Sequence, residues 1–296
     1  MDLASLSGTL GAAESPTGGW PYFGRQSSRL EPTCWALLAL MSDRSNRPFS
    51  PGPHIGFLER CQLHGGLLAD DANQPANLAF NGLVAVLAMS RPEVLSRART
   101  SGLLSAIAGL RGIALPQARE FRQDNSLTGW PWIDGTFSWV EPTSWCLLAL
   151  KKMKTTGVPV TSAIESRIVD GERLLIDRAC STGGWNFGNS AVLGQDLRPY
   201  VATTAVALLA LQDRLSEPVT ARSLTYLQDH ALTQTSGMSL ALSLICFHVF
   251  RLDSDALQQR LAEHWRDRQF LGNVHVTAMA HYALNHAQHK TSAFTL

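Results

Sequence analysis

Charge is scarce in this 296-residue sequence. Asp, Glu, Lys and Arg make up 17% of it, against about a quarter in ordinary soluble domains. Much of the chain must therefore be buried or must line something apolar. The net charge is only +1, with no basic stripe of the kind that faces phosphates, which excludes nucleic acid as a partner. Pairing signals for cysteine are absent too. Cys34, Cys61, Cys146, Cys180 and Cys246 are odd in number and contain no Cys-x-x-Cys pair, so they read as reduced, buried thiols of a cytoplasmic protein. The opening residues, Met1 to Trp20, lack the basic start and apolar core of a secretory signal. No apolar run reaches the ~20 residues that a bilayer span needs; the nearest, Met238 to Phe250, is too short. The β-branched residues do not alternate, so strands are not expected.

What the sequence does have is an internal repeat. "TGGWPYFGRQSSRLEPTCWALLAL" (Thr17 to Leu40), "TGWPWIDGTFSWVEPTSWCLLAL" (Thr128 to Leu150) and "TGGWNFGNSAVLGQDLRPYVATTAVALLAL" (Thr182 to Leu211) align on sight. Trp20 and Trp130 are 110 positions apart, and Trp130 and Trp185 are 55 apart, which implies a unit of roughly fifty residues and a hidden copy in the first gap. That copy is Cys61 to Met89, with Leu68 for the tryptophan. Two weaker copies, Ser236 to Phe250 and Phe270 to Leu284, keep only the apolar run, and six units result.

Each unit has an amphipathic helix, such as Thr161 to Arg178 or Ser254 to Arg268, then a Gly/Trp loop, then an almost wholly apolar helix, such as Pro142 to Lys152 or Thr203 to Leu211. A helix apolar on every side must be buried on every side, whereas one with a charged face belongs outside. Alternating the two gives an inner and an outer ring. The candidate linkers, Asn46 to Pro53 and Leu115 to Ser126, are short, so residues 1–296 read as a single domain. The expected first outer helix, Leu3 to Glu14, is short, and ring closure depends on it.

The run Phe57-Leu58, Gln62, Gly66, Leu68 resembles the QW motif of squalene–hopene cyclases and other triterpene cyclases, with leucine for tryptophan. Leu10, Glu14, Gly18 and Trp20 keep the spacing with glutamate for glutamine, and Leu175, Ala179, Gly183 and Trp185 keep it with alanine. With the hairpin repeats, the chain resembles the terpenoid cyclase/protein prenyltransferase superfamily over nearly its whole length, more weakly after Phe250. The resemblance implies an all-α fold, an (α/α)6 toroid. In the loop, glycine supplies a left-handed turn at the outer helix's end. Trp20, Trp130 and Trp185 then read as structural staples rather than ligand platforms.

Aligning the LLAL-type segments puts Glu31, Phe80, Glu141, Ala202 and His275 on one equivalent position, at helix starts that should gather around one mouth. The resembled cyclases begin their reaction there at an Asp-x-Asp-Asp-Thr-Ala stretch, whose middle acid protonates an alkene or epoxide. "WVEPTS" lays Glu141 on that acid and "RLEPTC" lays Glu31 there, while Trp139, Pro142, Arg29 and Pro32 replace the flanking carboxylates. The simpler reading of Glu-Pro-Thr is a helix start: proline suits the first turn, and a carboxylate is stabilised beside a helix N-terminus. Of the two, Glu141 is the expected acid, because Trp139 and Trp145 can desolvate it and raise its pKa, while Arg29 stands beside Glu31 and would do the opposite.

Prenyltransferases use zinc instead, but a lone Cys34 and a lone His275 do not make a three-ligand site, so no metal and no other cofactor is expected. Asp70 and Asp71 read as a loop that caps the next helix rather than a Mg²⁺ site. Two functions follow. In one, Trp35, Phe80, Phe137, Trp139 and Trp145 line a cavity for an isoprenoid or other apolar small molecule, with His275, Arg29 and Arg198 at its mouth and Glu141, then Glu31, as proton donor. A peripheral contact with a membrane surface fits the same picture. In the other, a toroid that has lost its acid cluster binds a lipid or a protein without catalysis.

Overall fold

Helices of two kinds alternate along the chain. A computed structural model describes residues 3–43, 48–117, 122–289 and 292–296, except the side chains of 288 and 289; the two candidate linkers lie partly outside the described residues. The apolar set comprises α2 (Leu30–Leu40), α4 (Asn81–Ser90), α6 (Val140–Thr155), α8 (Val201–Ala210), α10 (Gly237–Val249) and α12 (Val274–His289). The amphipathic set comprises α1 (Leu3–Ala12), α3 (Gly52–Cys61), α5 (Arg97–Gly109), α7 (Ser162–Asp177), α9 (Pro218–His230) and α11 (Asp255–Arg268). Every residue of α2 is buried, whereas α7 buries one stripe, from Ile164 through Ile168 to Leu175. The only named strands among the described residues, β1 (Ala191–Val192) and β2 (Gln195–Asp196), form a small antiparallel hairpin in the loop before α8.

The apolar helices pack in sequence, α2 on α4, α4 on α6, α6 on α8, α8 on α10 and α10 on α12, and α12 returns to α2. The result is a closed inner ring, and the chain is an (α/α)6 toroid. The outer helices α3, α5, α7, α9 and α11 each pack on the inner helix that precedes them, and α1 packs on α12. The sequence pairs each outer helix with the inner helix that follows it; side-by-side packing favours the preceding one, so α1 joins the end of the chain to its beginning. Where α4 meets α6, Gly82 lets the two backbones touch, since a Cβ there would stand 2.5 Å from the Trp145 carbonyl carbon.

The tryptophan loops are built alike. Trp20, Trp130 and Trp185 are fully buried. Each indole N–H donates to a carbonyl near the end of the preceding outer helix: Leu10 O at 2.9 Å, Ile107 O at 2.8 Å and Leu175 O at 2.6 Å. Each backbone N–H donates to a threonine Oγ1 of the following inner helix: Thr33, Thr143 and Thr204. In the leucine unit Asn81 Oδ1 receives Leu68 N–H at 2.7 Å. Gly18 and Gly183 have φ of +87° and +88°, and a Cβ at Gly18 would fall 2.1 Å from Pro53 O, so neither conformation nor space admits another residue. The threonine of Glu-Pro-Thr is therefore structural. Thr143→Val, which keeps the shape and removes the acceptor, should cost about 1–3 kcal/mol of stability; a denaturant midpoint unchanged from the parent would show that the Trp130 amide has another acceptor.

The barrel narrows away from the mouth. Residues 292–296 fold back over the C-terminal ends of the inner helices, and Phe294 is fully buried inside. Its ring centroid lies 5.3 Å from that of Trp35, 5.8 Å from Trp145 and 5.4 Å from Tyr282. No helix among the described residues is long and apolar enough to cross a membrane.

Candidate functional site

At the N-terminal ends of the inner helices three ionisable side chains meet. Glu31, on the first turn of α2, is buried. Tyr22 donates its hydroxyl to Glu31 Oε2 at 2.5 Å, and His275 Nε2, on the first turn of α12, stands 3.1 Å from Oε1. The His275 contact is at ion-pair distance but outside hydrogen-bond geometry. Burial and the nearby carboxyl both push the Tyr22 hydroxyl up, burial most, so it remains a donor. Arg29, which the sequence sets beside Glu31, reaches Asp70 instead at 3.5 Å.

Glu141 sits on the first turn of α6 at the edge of a cavity of about 210 Å³ between α6, α8 and α10. Phe187, Tyr200, Ala202, Thr203, Gln234, Met238 and Ser239 face it near the opening, and Val206 and Leu242 stand deeper. Burial, and secondly the charge of Glu31, push the Glu141 pKa up to about 8; the Trp145 indole pulls the other way, although its N–H lacks hydrogen-bond geometry. At neutral pH the carboxyl is thus largely protonated, and desolvation is the main cause.

Neither glutamate serves as a helix cap. Leu30 N–H donates to Asp70 Oδ1 at 2.8 Å, and Val140 N–H donates to Phe187 O at 2.9 Å. Asp70 also accepts from Asn77 Nδ2. The Asp-Asp loop does cap a helix, but that helix is α2 of the preceding unit and not the next one, because consecutive units overlap at their mouths.

The other expected site residues divide. Trp139 stacks on Trp132 at 5.0 Å and meets Phe137 at 4.5 Å; Trp132 reaches Phe187 at 6.2 Å, and Phe187 reaches Tyr200 at 4.9 Å. An aromatic path thus runs from Phe137 to the cavity. Trp35 and Trp145 lie deeper, packed on Tyr282 and Phe294 rather than facing open space. Phe80 is the residue before α4 and packs against the core. Arg29 and Arg198 do not converge. Arg29 borders one surface pocket with Arg25 and Asp71, and Arg198 borders another with Arg222 and Asp229. Cys34 is fully buried and its thiol is pushed well up, chiefly by burial.

Sequence reasoning missed Tyr22, Trp132 and Phe187, although one signal marks all three: each stands two residues after a loop tryptophan. Loop geometry turns that position toward the mouth. Gln234, Met238 and Ser239 carry no such mark, since their unit lost its tryptophan.

No family model matches the sequence, and no curated protein matches it. Solved structures share the fold. A GH76 α-mannanase from Bacteroides thetaiotaomicron superposes with a TM-score of 0.65 at 10% identity, covering 99% of this chain and 98% of that one. The type II terpene cyclase MstE from Scytonema, in complex with its substrate geranylgeranyl dihydroxybenzoate, superposes with a TM-score of 0.58 at 13% identity, covering 98% of both chains. A protein from Actinoplanes gives 0.57 at 15% identity over 97% of this chain and all of the other. These likenesses are of fold. They also show that a terpene cyclase can consist of one toroid of this size.

Proposed function

We propose that this toroid binds an isoprenoid, or a similarly apolar alkene, at the inner-helix mouth and that Glu141 starts its cyclisation by donating a proton. The observation that carries this reading is Glu141 itself: a carboxyl at the edge of a cavity, with its pKa raised to about 8 despite the opposing Trp145 indole. Such a group is an acid at neutral pH, and an acid at the edge of a cavity whose deeper lining, Val206 and Leu242, is apolar suits alkene protonation. The Glu141 O–H bond breaks as a C–H bond forms on the alkene, and the resulting cation is attacked by a second double bond of the same chain. Aromatic faces at Phe187 and Tyr200, both about half exposed, would stabilise that cation by ~0.5–1 kcal/mol per contact, and by more where a bound chain excludes water. Loss of a proton from the product cation then closes the balance. Glu31, held by Tyr22 and His275, raises the Glu141 pKa through its charge and acts through that residue.

A glycosidase reading, which the mannanase fold-mate raises, is less well supported. Glycosidases commonly set two carboxyls across one glycosidic bond, and both oxygens of Glu31 already face Tyr22 and His275. The five buried thiols fit a reducing, cytoplasmic setting, and one continuous core from Leu6 to Phe294 fits a single working domain. Mass spectrometry of solvent-extracted purified protein, followed by incubation with a panel of prenyl alcohols and prenylated phenols, tests the proposal. A bound isoprenoid and a cyclised product are expected. A clean extract with no turnover on the panel would leave the toroid as a non-catalytic binder.

A further inference from the structure

The cavity beside Glu141 holds about 210 Å³, less than the ~300–1,000 Å³ of ordinary small-molecule pockets. One turn further along the same helix stands Trp145, and Trp35, Trp145 and Tyr282 pack around the ring of Phe294. The filling is imperfect. The indole N–H of Trp35 is buried without an acceptor in hydrogen-bond geometry, an unusual state for a core donor, whereas that of Trp145 is turned to the Glu141 carboxyl.

The segment that carries Phe294 is attached in a particular way. Only Phe294 is buried among residues 292–296; Thr295 is exposed and the others are half-buried. Its hydrogen bonds come from the ends of the surrounding helices. Ser90 Oγ donates to Ala293 O, Gln212 Nε2 to Phe294 O and Lys152 Nζ to Thr295 O, while Leu296 N–H donates to Gln212 Oε1 and Ala293 N–H to the Tyr282 hydroxyl. Ser90 and Gln212 are half-buried at helix ends, where water can replace their protein partners, whereas Lys152 and Tyr282 are buried. A second pocket of about 200 Å³, lined by Ser42, Arg91, Lys152, Ser292 and Ala293, opens directly beside the segment. One aromatic ring therefore fills the space between Trp35, Trp145 and Tyr282, and part of what holds its segment, the bonds to Ser90 and Gln212, is open to replacement by water.

We infer that residues 292–296 are a displaceable stopper, and that Phe294 occupies the place of the distal end of a long apolar chain whose reactive end meets Glu141. Phe294 then sets the chain length that the toroid accepts. This rests on the proposed apolar-ligand site but does not require catalysis.

The test uses the full chain as wild type, Phe294→Ala and Phe294→Leu, with geraniol, geranylgeraniol and hexadecanol as probes, followed by tryptophan fluorescence and calorimetry. Far-ultraviolet circular dichroism checks that each variant is folded, and Phe294→Leu carries the test if the alanine variant is not. Geraniol should bind all three proteins alike. Geranylgeraniol should bind Phe294→Ala at least tenfold more tightly than wild type, with Phe294→Leu between. A gain for hexadecanol but not for geranylgeraniol would keep the stopper and overturn the isoprenoid reading. Equal affinities for the long probes across folded proteins would overturn the stopper while sparing the site beside Glu141. Absence of binding by every probe to every protein would overturn both.

Discussion

Glu141→Gln should lose turnover by a factor of about 10² or more, the usual size of a lost acid–base group, while keeping fold and ligand affinity. The amide fills the space of a neutral carboxyl and cannot donate a proton of comparable acidity. The pH dependence carries the sharper signature. Glu141 is protonated below its pKa of about 8, so, with Glu141 as the proposed donor, activity should hold through neutral pH and fall as pH rises through that value. Stability should move with it. Between the ordinary glutamate pKa of 4.5 and about 8, the folded protein holds a proton at Glu141 that the unfolded chain has released. The stabilisation from that proton is full below the unfolded pKa and is lost as pH rises, by at most about 1.4 kcal/mol per pH unit. Glu141→Gln lacks this component, so the gap between variant and parent should widen in the variant's favour from pH 5 to pH 8. Undiminished turnover, or a stability gap that ignores pH, would remove Glu141 from the mechanism.

Arg167→Ala should have the largest effect on stability. Arg167, on outer helix α7, is fully buried. Its guanidinium lies 4.0 Å from the centroid of Trp130 and donates to the carbonyls of Thr128, Gly129 and Leu110 and to Asp170 Oδ2. Burial pulls its pKa down, yet an arginine remains charged. One side chain thus ties the end of α5, the tryptophan loop and α7 together. Removing it strands the Thr128 carbonyl, takes one donor from the Gly129 and Leu110 carbonyls, which keep Gly112 N–H and Arg111, and uncovers the indole, at a cost of about 3–5 kcal/mol. For a chain of this size that corresponds to a Tm lower by on the order of 10 °C. Arg167→Lys should recover little, since one ammonium cannot serve four acceptors and stack. A Tm within two degrees of the parent for Arg167→Ala would show that the loop is held by the tryptophan alone.

The ring was legible because burial on all sides leaves a compositional trace: α2 and α8 are almost wholly apolar, and the loop tryptophans recur before them. The upward shift of the Glu141 pKa was legible in direction but not in cause, since burial and the Glu31 charge raise it while the Trp145 indole expected to do so pulls the other way. Arg167 was not legible. In an amphipathic helix an arginine reads as surface, and only the folded loop reveals the carbonyls that it satisfies. The fates of Trp35 and Trp145 were hidden for a similar reason. An aromatic residue on an inner helix reads as lining, but whether it faces space or another ring depends on Phe294, some 150 residues beyond Trp145 and outside every repeat. Asp70 misled in direction, since a loop's nearest neighbour in sequence was not the helix that it caps.

That last displacement recurs around the ring. The residue two places after the loop tryptophan, or its leucine substitute, receives the first amide of the inner helix one unit back: Asp70 for Leu30, Phe187 for Val140 and Tyr22 for Val274. These helices are finished by a neighbour rather than by their own hairpins, and the Tyr22–Val274 link spans nearly the whole chain. An early hairpin emerging during synthesis would have to wait for the next unit to complete its helix end, and α12 would be completed by a loop made long before it. The first loop should therefore lack its partner until α12 has formed, which makes the docking of α12, rather than the formation of any earlier hairpin, the moment at which the ring locks.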